Sequence, residues 1–236
     1  MEQNLSIEEI QNFKGKYPKQ LWYLFFSEMW ERFSFYGMRG MLYIFMVHHL
    51  MMSDVVANLQ YGATQAFVYA FTFVGGLFAD KILGYRKSLF WGGILMIVGS
   101  CILAFDPKQF FFLGVSFTII GTGFFKPNIS SMVGSLYPKQ EKNKLDTAFT
   151  IFYMGINIGA FLGQSICPLL GDVKDSAGIR DIHAFKWGFL AASIAMLLGT
   201  ILFYFLKNKY VVSPEGKPLG GLPSKNESDR KSTRLN

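Results

Sequence analysis

The sequence predicts an all-α membrane protein, a bundle of six transmembrane helices. Three observations predict it. The chain of 236 residues is 51% hydrophobic and 17% aromatic with only 17% charged residues, too apolar for an ordinary soluble domain of this size. Its apolar runs are long enough to span a bilayer as helices, at roughly 20 residues each. They also lack the two-residue alternation of a membrane barrel.

The spans fall at about 19–50, 55–80, 88–105, 109–136, 146–170 and 185–206, each judged by apolar length against the bilayer core. Polar segments flank them. Residues 1–18 form an amphipathic, Glu-containing arm expected in the cytoplasm, without the basic start, short apolar core and small-residue cleavage site of a signal peptide. Residues 19–206 hold the helices, and 207–228, rich in Pro, Gly, Ser and Lys, read as the start of a cytoplasmic linker. The last residues, 229–236 (DRKSTRLN), resemble the translation of a DNA-sequencing adapter and are set aside as an artefact, so the reading frame is expected to be truncated.

Lys and Arg distribution orients the bundle, because short cytoplasmic loops keep positive residues. Lys14, Lys16 and Lys19 precede the first span, Lys81, Arg86 and Lys87 follow the second, and Lys139, Lys142 and Lys144 follow the fourth. The opposite loops are poorer: none after the first span, Lys108 after the third, and Lys174, Arg180 and Lys186 after the fifth, balanced by Asp172, Asp175 and Asp181. Both ends are therefore expected in the cytoplasm. The net charge of +7 lies in these loops and the tail rather than on a folded basic face, which argues for topology and against nucleic-acid binding. Cys101 and Cys167 fall inside spans without metal or redox spacing and read as small apolar fillers. His48, His49 and His183 lie near helix ends, where an interfacial role is expected and a metal site is not.

The first span is the most informative. The run SEMWERFSFYGMRGMLYIFMV carries Glu28, Glu31, Arg32 and Arg39, where a simple anchor would carry no charge. A charge at mid-bilayer costs roughly 2.5–3.5 kcal/mol on insertion scales, so intramembrane ions face inward, pair, and mark substrate or proton paths. Residues three and four apart share a helix face, which lines up Glu28, Glu31, Arg32, Phe35, Tyr36 and Arg39 as a polar stripe. Carboxylates and guanidiniums in such a stripe neutralise one another, and a carboxylate near Arg can still take a proton when its surroundings change.

Three further motifs follow. GGLFADKILGYRK, from Gly75 to Lys87, places Gly75 and Gly76 for close helix approach, Asp80 to cap a helix end or pair with Arg86, and Gly84 for a tight turn. GTGFFKPNISSMVG, from Gly121 to Gly134, sets Lys126 mid-span beside a helix-breaking Pro127; the buried ammonium needs a carboxylate, and Glu28 and Glu31 are available. The phosphate-loop look of GTGFFK is discounted, because the spacing is wrong and the segment lies in lipid. FTIFYMGINIGAFLG, from Phe149 to Gly163, repeats Gly155, Gly159 and Gly163 every four residues for close packing and places Asn157 among them, where an amide must bond another helix or a ligand.

Together, ExxERFSFYGMR, the loop motif, GTGFFKPNI and FYMGINIGA resemble the N-terminal half of a proton-dependent oligopeptide transporter, the peptide transporter family of the major facilitator superfamily. The loop motif is similar to the loop signature of that superfamily. The resemblance implies two six-helix bundles around a central site, alternating access, and uptake of di- and tripeptides with protons, driven by the proton gradient without a cofactor, in the plasma (inner) membrane. It implies that the chain lacks its C-terminal six-helix partner. By motif position, Glu28, Glu31 and Arg32 resemble the proton-coupling triad, with Lys126 as its partner. Arg39, Lys126 and Asn157 match positions that line the peptide site, and Tyr36 and Tyr69 match its aromatic walls. Gly75, Gly76, Asp80, Gly84 and Arg86 match the conformational signature loop. Phe35 and Phe73 depart from the Tyr and Pro that many relatives carry. A related carrier for another anionic solute such as nitrate, and an inactive half-transporter fragment, are the alternatives. An intramembrane enzyme is not expected, because HExxH, GxSxG and paired membrane aspartates are all missing from the sequence.

Overall fold

A computed structural model describes residues 19–136, 142–181, 183–210 and 220. The N-terminal arm, Lys139, the linker start beyond 210 apart from Gly220, and the terminal segment 229–236 lie outside the described residues, as do the side chains of Lys19 and Lys142. The elements run α1 (Lys19–His48), α2 (Asp54–Phe78), a π-helical turn (Ala79–Leu83), α3 (Tyr85–Phe105), α4 (Phe111–Gly134), α5 (Lys142–Gly171) and α6 (Phe185–Tyr210). These six helices match the six expected spans to within a few residues.

Local chemistry sets several boundaries. Ser53 caps α2 by accepting the Val56 N–H at 3.4 Å, with Asp54 in the first turn. Asp106 ends α3 and accepts the N–H groups of Lys108 and Gln109 through one carboxylate oxygen. Between the π turn and α3 the chain reverses at Gly84, with φ 77° and ψ 153°, a region that only glycine enters cheaply.

Among the described residues four stretches are long and apolar enough to cross a membrane: Asp54–Leu83, Tyr85–Phe105, Lys144–Gly171 and Phe185–Leu206. α1 and α4 are long enough but fall outside that set, because they carry the ionic and polar residues of the interior. α1 packs most extensively on α5 and α6, and α4 on α3 and α2, so both lie inside the bundle. Their polar residues meet protein, which removes the cost that hydropathy averages assign to them. α2 and α5 end the packing order and present exposed Phe67, Tyr69, Phe73, Tyr153, Phe161 and Leu169.

Glycines set the close contacts. A Cβ on Gly75 would lie 2.2 Å from the carbonyl oxygen of Gly123, the group that Pro127 deprives of its helical donor. α2 thus closes on α4 where the α4 ladder is interrupted. Gly159 and Gly163 meet the backbone of Met29 and Phe33 in the same way, seating α5 on α1.

At the end of the bundle where α1 finishes, an aromatic cluster joins three helices. Phe45 stacks on Phe111 at 5.3 Å and meets Phe185 at 5.2 Å, while the His49 ring sits 4.5 Å from Phe185. The loop between α5 and α6 is pinned there by Arg180, which donates to Asp172 at 2.6 Å and lies 3.0 Å from His48. Cys167 is the buried filler expected, packed against Gly37. Cys101 instead lies exposed on α3 with its sulfur 3.1 Å from the Ser193 hydroxyl, because its turn of the helix faces outward.

Candidate functional site: a buried ion triad and two stacked cations

The polar stripe on α1 turns into the bundle. Glu28, Glu31 and Arg32 are 2%, 0% and 3% exposed, which for ionisable groups requires pairing. The helix supplies it locally. Arg32 Nε donates to Glu28 Oε1 at 2.7 Å, one turn away, and lies 2.6 Å from Glu31 Oε2. The guanidinium also lies 5.9 Å over the Phe35 ring.

This triad is charged unevenly. One guanidinium serves two carboxylates, and Glu28 Oε2, Glu31 Oε1 and Arg32 Nη2 have no hydrogen-bond partner among the described residues. Both carboxylates feel a further cation, Lys126 of α4. Adding or removing one proton therefore changes the charge balance of a site walled by protein, where charges act more strongly than in water.

Lys126 does not form the direct carboxylate pair expected from its sequence position. Among the described residues no carboxylate lies within ion-pair distance of it; its ammonium sits 5.2 Å over the ring of Tyr69. The physical reason is local: Arg32, on the same helix as both acids, already occupies them. Arg39 is held in a similar way, with its guanidinium 5.7 Å from the Tyr36 ring and 5.5 Å from the Tyr61 ring. Its Nε donates to the Tyr61 hydroxyl at 2.5 Å. Two cations are thus presented on aromatic faces without a carboxylate partner among the described residues, an arrangement that suits an incoming anion.

Arg39 lines a cleft of about 430 Å³ together with Gly40, Tyr43, Asn58, Tyr61 and Gln164, drawn from α1, α2 and α5. Asn157 lies elsewhere, in an open groove of about 590 Å³ on α5 with Thr150, Tyr153, Met154, Ile158 and Phe161. Lys126 lines neither. The structure therefore joins Glu28, Glu31 and Arg32 directly, sets Lys126 on Tyr69 and Arg39 on Tyr36, and leaves Asn157 apart on an exposed face. In the loop motif, Gly75 makes the close approach, while a Cβ on Gly76 would only reach ordinary contact with Pro127. Asp80 accepts from the Tyr85 hydroxyl at 2.6 Å, Gly84 makes the reversal, and Arg86 sits half-buried at the start of α3.

Sequence reasoning missed Tyr61, Asn58 and Gln164. For Asn58 and Tyr61 the signal available was the run NLQYGATQ, polar residues clustered in the first third of an otherwise apolar span; for Gln164 it was an amide directly after the glycine repeat of α5. Among the described residues no group of three His, Cys, Asp or Glu side chains could hold a metal ion.

The family model described as the POT family matches residues 86–220. A protein named uncharacterized transporter YclF, from Bacillus subtilis, is 37% identical over 203 residues, 82% of this chain and 38% of that protein. Dipeptide and tripeptide permease A from Serratia proteamaculans is 32% identical over 208 residues, 86% of this chain and 38% of that one. A crystal structure of a POT family transporter in complex with a thioalcohol-conjugated peptide superposes with a TM-score of 0.78 at 32% identity, covering 98% of this chain and 47% of that chain. The chain thus spans less than half the length of the proteins it matches.

Proposed function

The chain belongs to the POT family, and from that premise we propose that it forms the N-terminal bundle of a carrier that imports di- and tripeptides together with protons. The observation that carries this reading is the buried triad of Glu28, Glu31 and Arg32 beside two cations stacked on tyrosines. In the proposed cycle a proton from the acidic side neutralises a carboxylate of the Glu28 and Glu31 pair. Lys126 and Arg39, which have no carboxylate partner among the described residues, hold the peptide carboxylate by charge-assisted hydrogen bonds, and the loss of one negative charge nearby favours that anion. Tyr36 and Tyr69 wall the site, and Asn157 joins it as the second bundle closes over α2 and α5.

Proton and peptide together favour closure, and release to the cytoplasm restores the internal ion pairs that let the empty carrier return. Each ligand acts only through its differential affinity for the two states. The loop motif from Gly75 to Arg86 acts as the conformational element at the cytoplasmic end, with both termini on that side of the plasma (inner) membrane. The exposed apolar faces of α2 and α5 support a six-helix partner, and the share of the relatives' length that the chain covers is consistent with one.

The test uses the complete carrier in proteoliposomes with an acid-outside gradient. Labelled dialanine should accumulate, unlabelled dipeptides should compete, and nitrate should not. Lys126→Ala should abolish proton-driven accumulation. Unaltered concentrative uptake in that variant refutes the coupling role, and competition by nitrate instead of dipeptides refutes the substrate class.

A further inference from the structure

Arg39 can meet an anion by more than one edge of its guanidinium. A guanidinium offers five N–H donors in a rigid fork, and which edge faces a ligand decides whether a carboxylate is gripped by one bond or two. Arg39 sits in α1 and meets α2 across the cleft, where Tyr61 lies 22 positions later in the chain. The Tyr61 hydroxyl takes the Nε–H, and the rings of Tyr36 and Tyr61 hold the guanidinium at 5.7 and 5.5 Å.

Holding Arg by Nε has a geometric consequence. The single side donor is engaged, the side chain loses a rotamer search, and the terminal edge with both Nη groups stays available for a bidentate partner. Asp54, the acid on the same helix as Tyr61, is taken by another group: the Tyr43 hydroxyl donates to its Oδ1 at 2.9 Å. Among the described residues no acid lies within ion-pair distance of Arg39, so the cleft of about 430 Å³ keeps one oriented cation, with the amides of Asn58 and Gln164 in its wall.

We infer that Tyr61 is a positioning residue for substrate carboxylate recognition: it fixes Arg39 so that the Nη edge meets the peptide's terminal carboxylate two-pronged. The inference rests on the peptide-import reading and extends it to a residue on α2. It places the cost of ordering Arg39 in the folded protein rather than in the binding step, which is how preorganised sites gain affinity.

The experiment is a double-mutant cycle in the complete carrier, measuring uptake of dialanine and competition by its C-terminal amide. Tyr61→Phe keeps the ring and the stacking and removes only the hydroxyl. It should raise KM for dialanine roughly tenfold, the effect of losing one hydrogen bond to a charged group, while kcat stays within about twofold. Competition by the amide, which has no carboxylate to grip, should not change. In an Arg39→Lys background, where there is no fork to orient, adding Tyr61→Phe should change KM no further.

An unchanged KM in Tyr61→Phe overturns the inference, as does equal weakening of acid and amide, which marks a general loss of cleft shape. Full additivity with Arg39→Lys overturns it too, because Tyr61 would then act independently of Arg39. An unaltered carrier that takes up no dipeptide refutes the import reading, and the inference with it; a working carrier with additive variants refutes the inference alone.

Discussion

Gly159→Ala should destabilise the complete carrier, although alanine is the better helix former. The added Cβ would lie 2.2 Å from the Met29 carbonyl oxygen and 3.0 Å from Arg32 Cβ. That is about 1 Å inside the ~3.3 Å at which a carbon ordinarily meets a carbonyl oxygen. The atom it strikes is backbone, so no rotamer change relieves the clash, and α1 and α5 must part. A gap of that size forfeits roughly a quarter to a half of each dispersion contact along the seam, and overpacking of this kind costs about 1–3 kcal/mol. The gain in helix propensity, roughly 0.8–1 kcal/mol, offsets part of it. Gly62→Ala is the internal control, because a Cβ there meets nothing within 4 Å and the helix gain stands alone. Comparing the two variants cancels propensity and leaves the clash, about 1–3 kcal/mol. The shift is roughly 2–4 °C per kcal/mol for 150–250 residues and about half that in a carrier about twice as long, so Gly159→Ala should unfold about 1–6 °C below Gly62→Ala. Thermal unfolding of the detergent-solubilised carrier, followed by tryptophan fluorescence, measures the difference. Uptake should fall as well, since Arg32 is the second atom group displaced. Equal unfolding temperatures would refute the argument that the α1–α5 seam is set by backbone contact at the glycines.

Two further outcomes follow from the loops. Gly84→Ala should cost about 1–3 kcal/mol in the same unfolding assay, because φ 77° with ψ 153° is closed to a side chain; an unchanged unfolding temperature would show that the turn rebuilds freely. His49 should make stability fall in acid. Burial holds its imidazole below the usual value, with the neighbouring His48 acting in the same direction, and its Nε2 has no hydrogen-bond partner among the described residues. A depressed histidine favours the neutral form in the fold, so its contribution is complete above about pH 6.5, the unfolded value, and is lost as pH falls below it. His49→Phe, which suits the aromatic cluster with Phe45 and Phe185, should lose less unfolding temperature than the unaltered protein between pH 7.5 and pH 5. The same loss in both would assign the acid sensitivity to other groups.

The sequence by itself determined the helices, their approximate ends and the chemistry they carry. Apolar length is a local quantity, and so is the i, i+4 relation that places Glu28 on Arg32. Turn geometry at Gly84 and the four-residue glycine repeat of α5 are also written in neighbouring residues, which is why both were legible. The tertiary structure decided everything that depends on which helix lies beside which. Lys126 faces Tyr69 rather than a glutamate, because α2 closes on α4 at Gly75 while the acids are already held within α1. Arg39 finds Tyr61 across 22 residues, and Asn157, on a helix that reads as part of the site, lies on an exposed face apart from both cations. Periodicity fixes the face a residue occupies on its own helix; the partner of that face follows only from where small residues let two backbones meet.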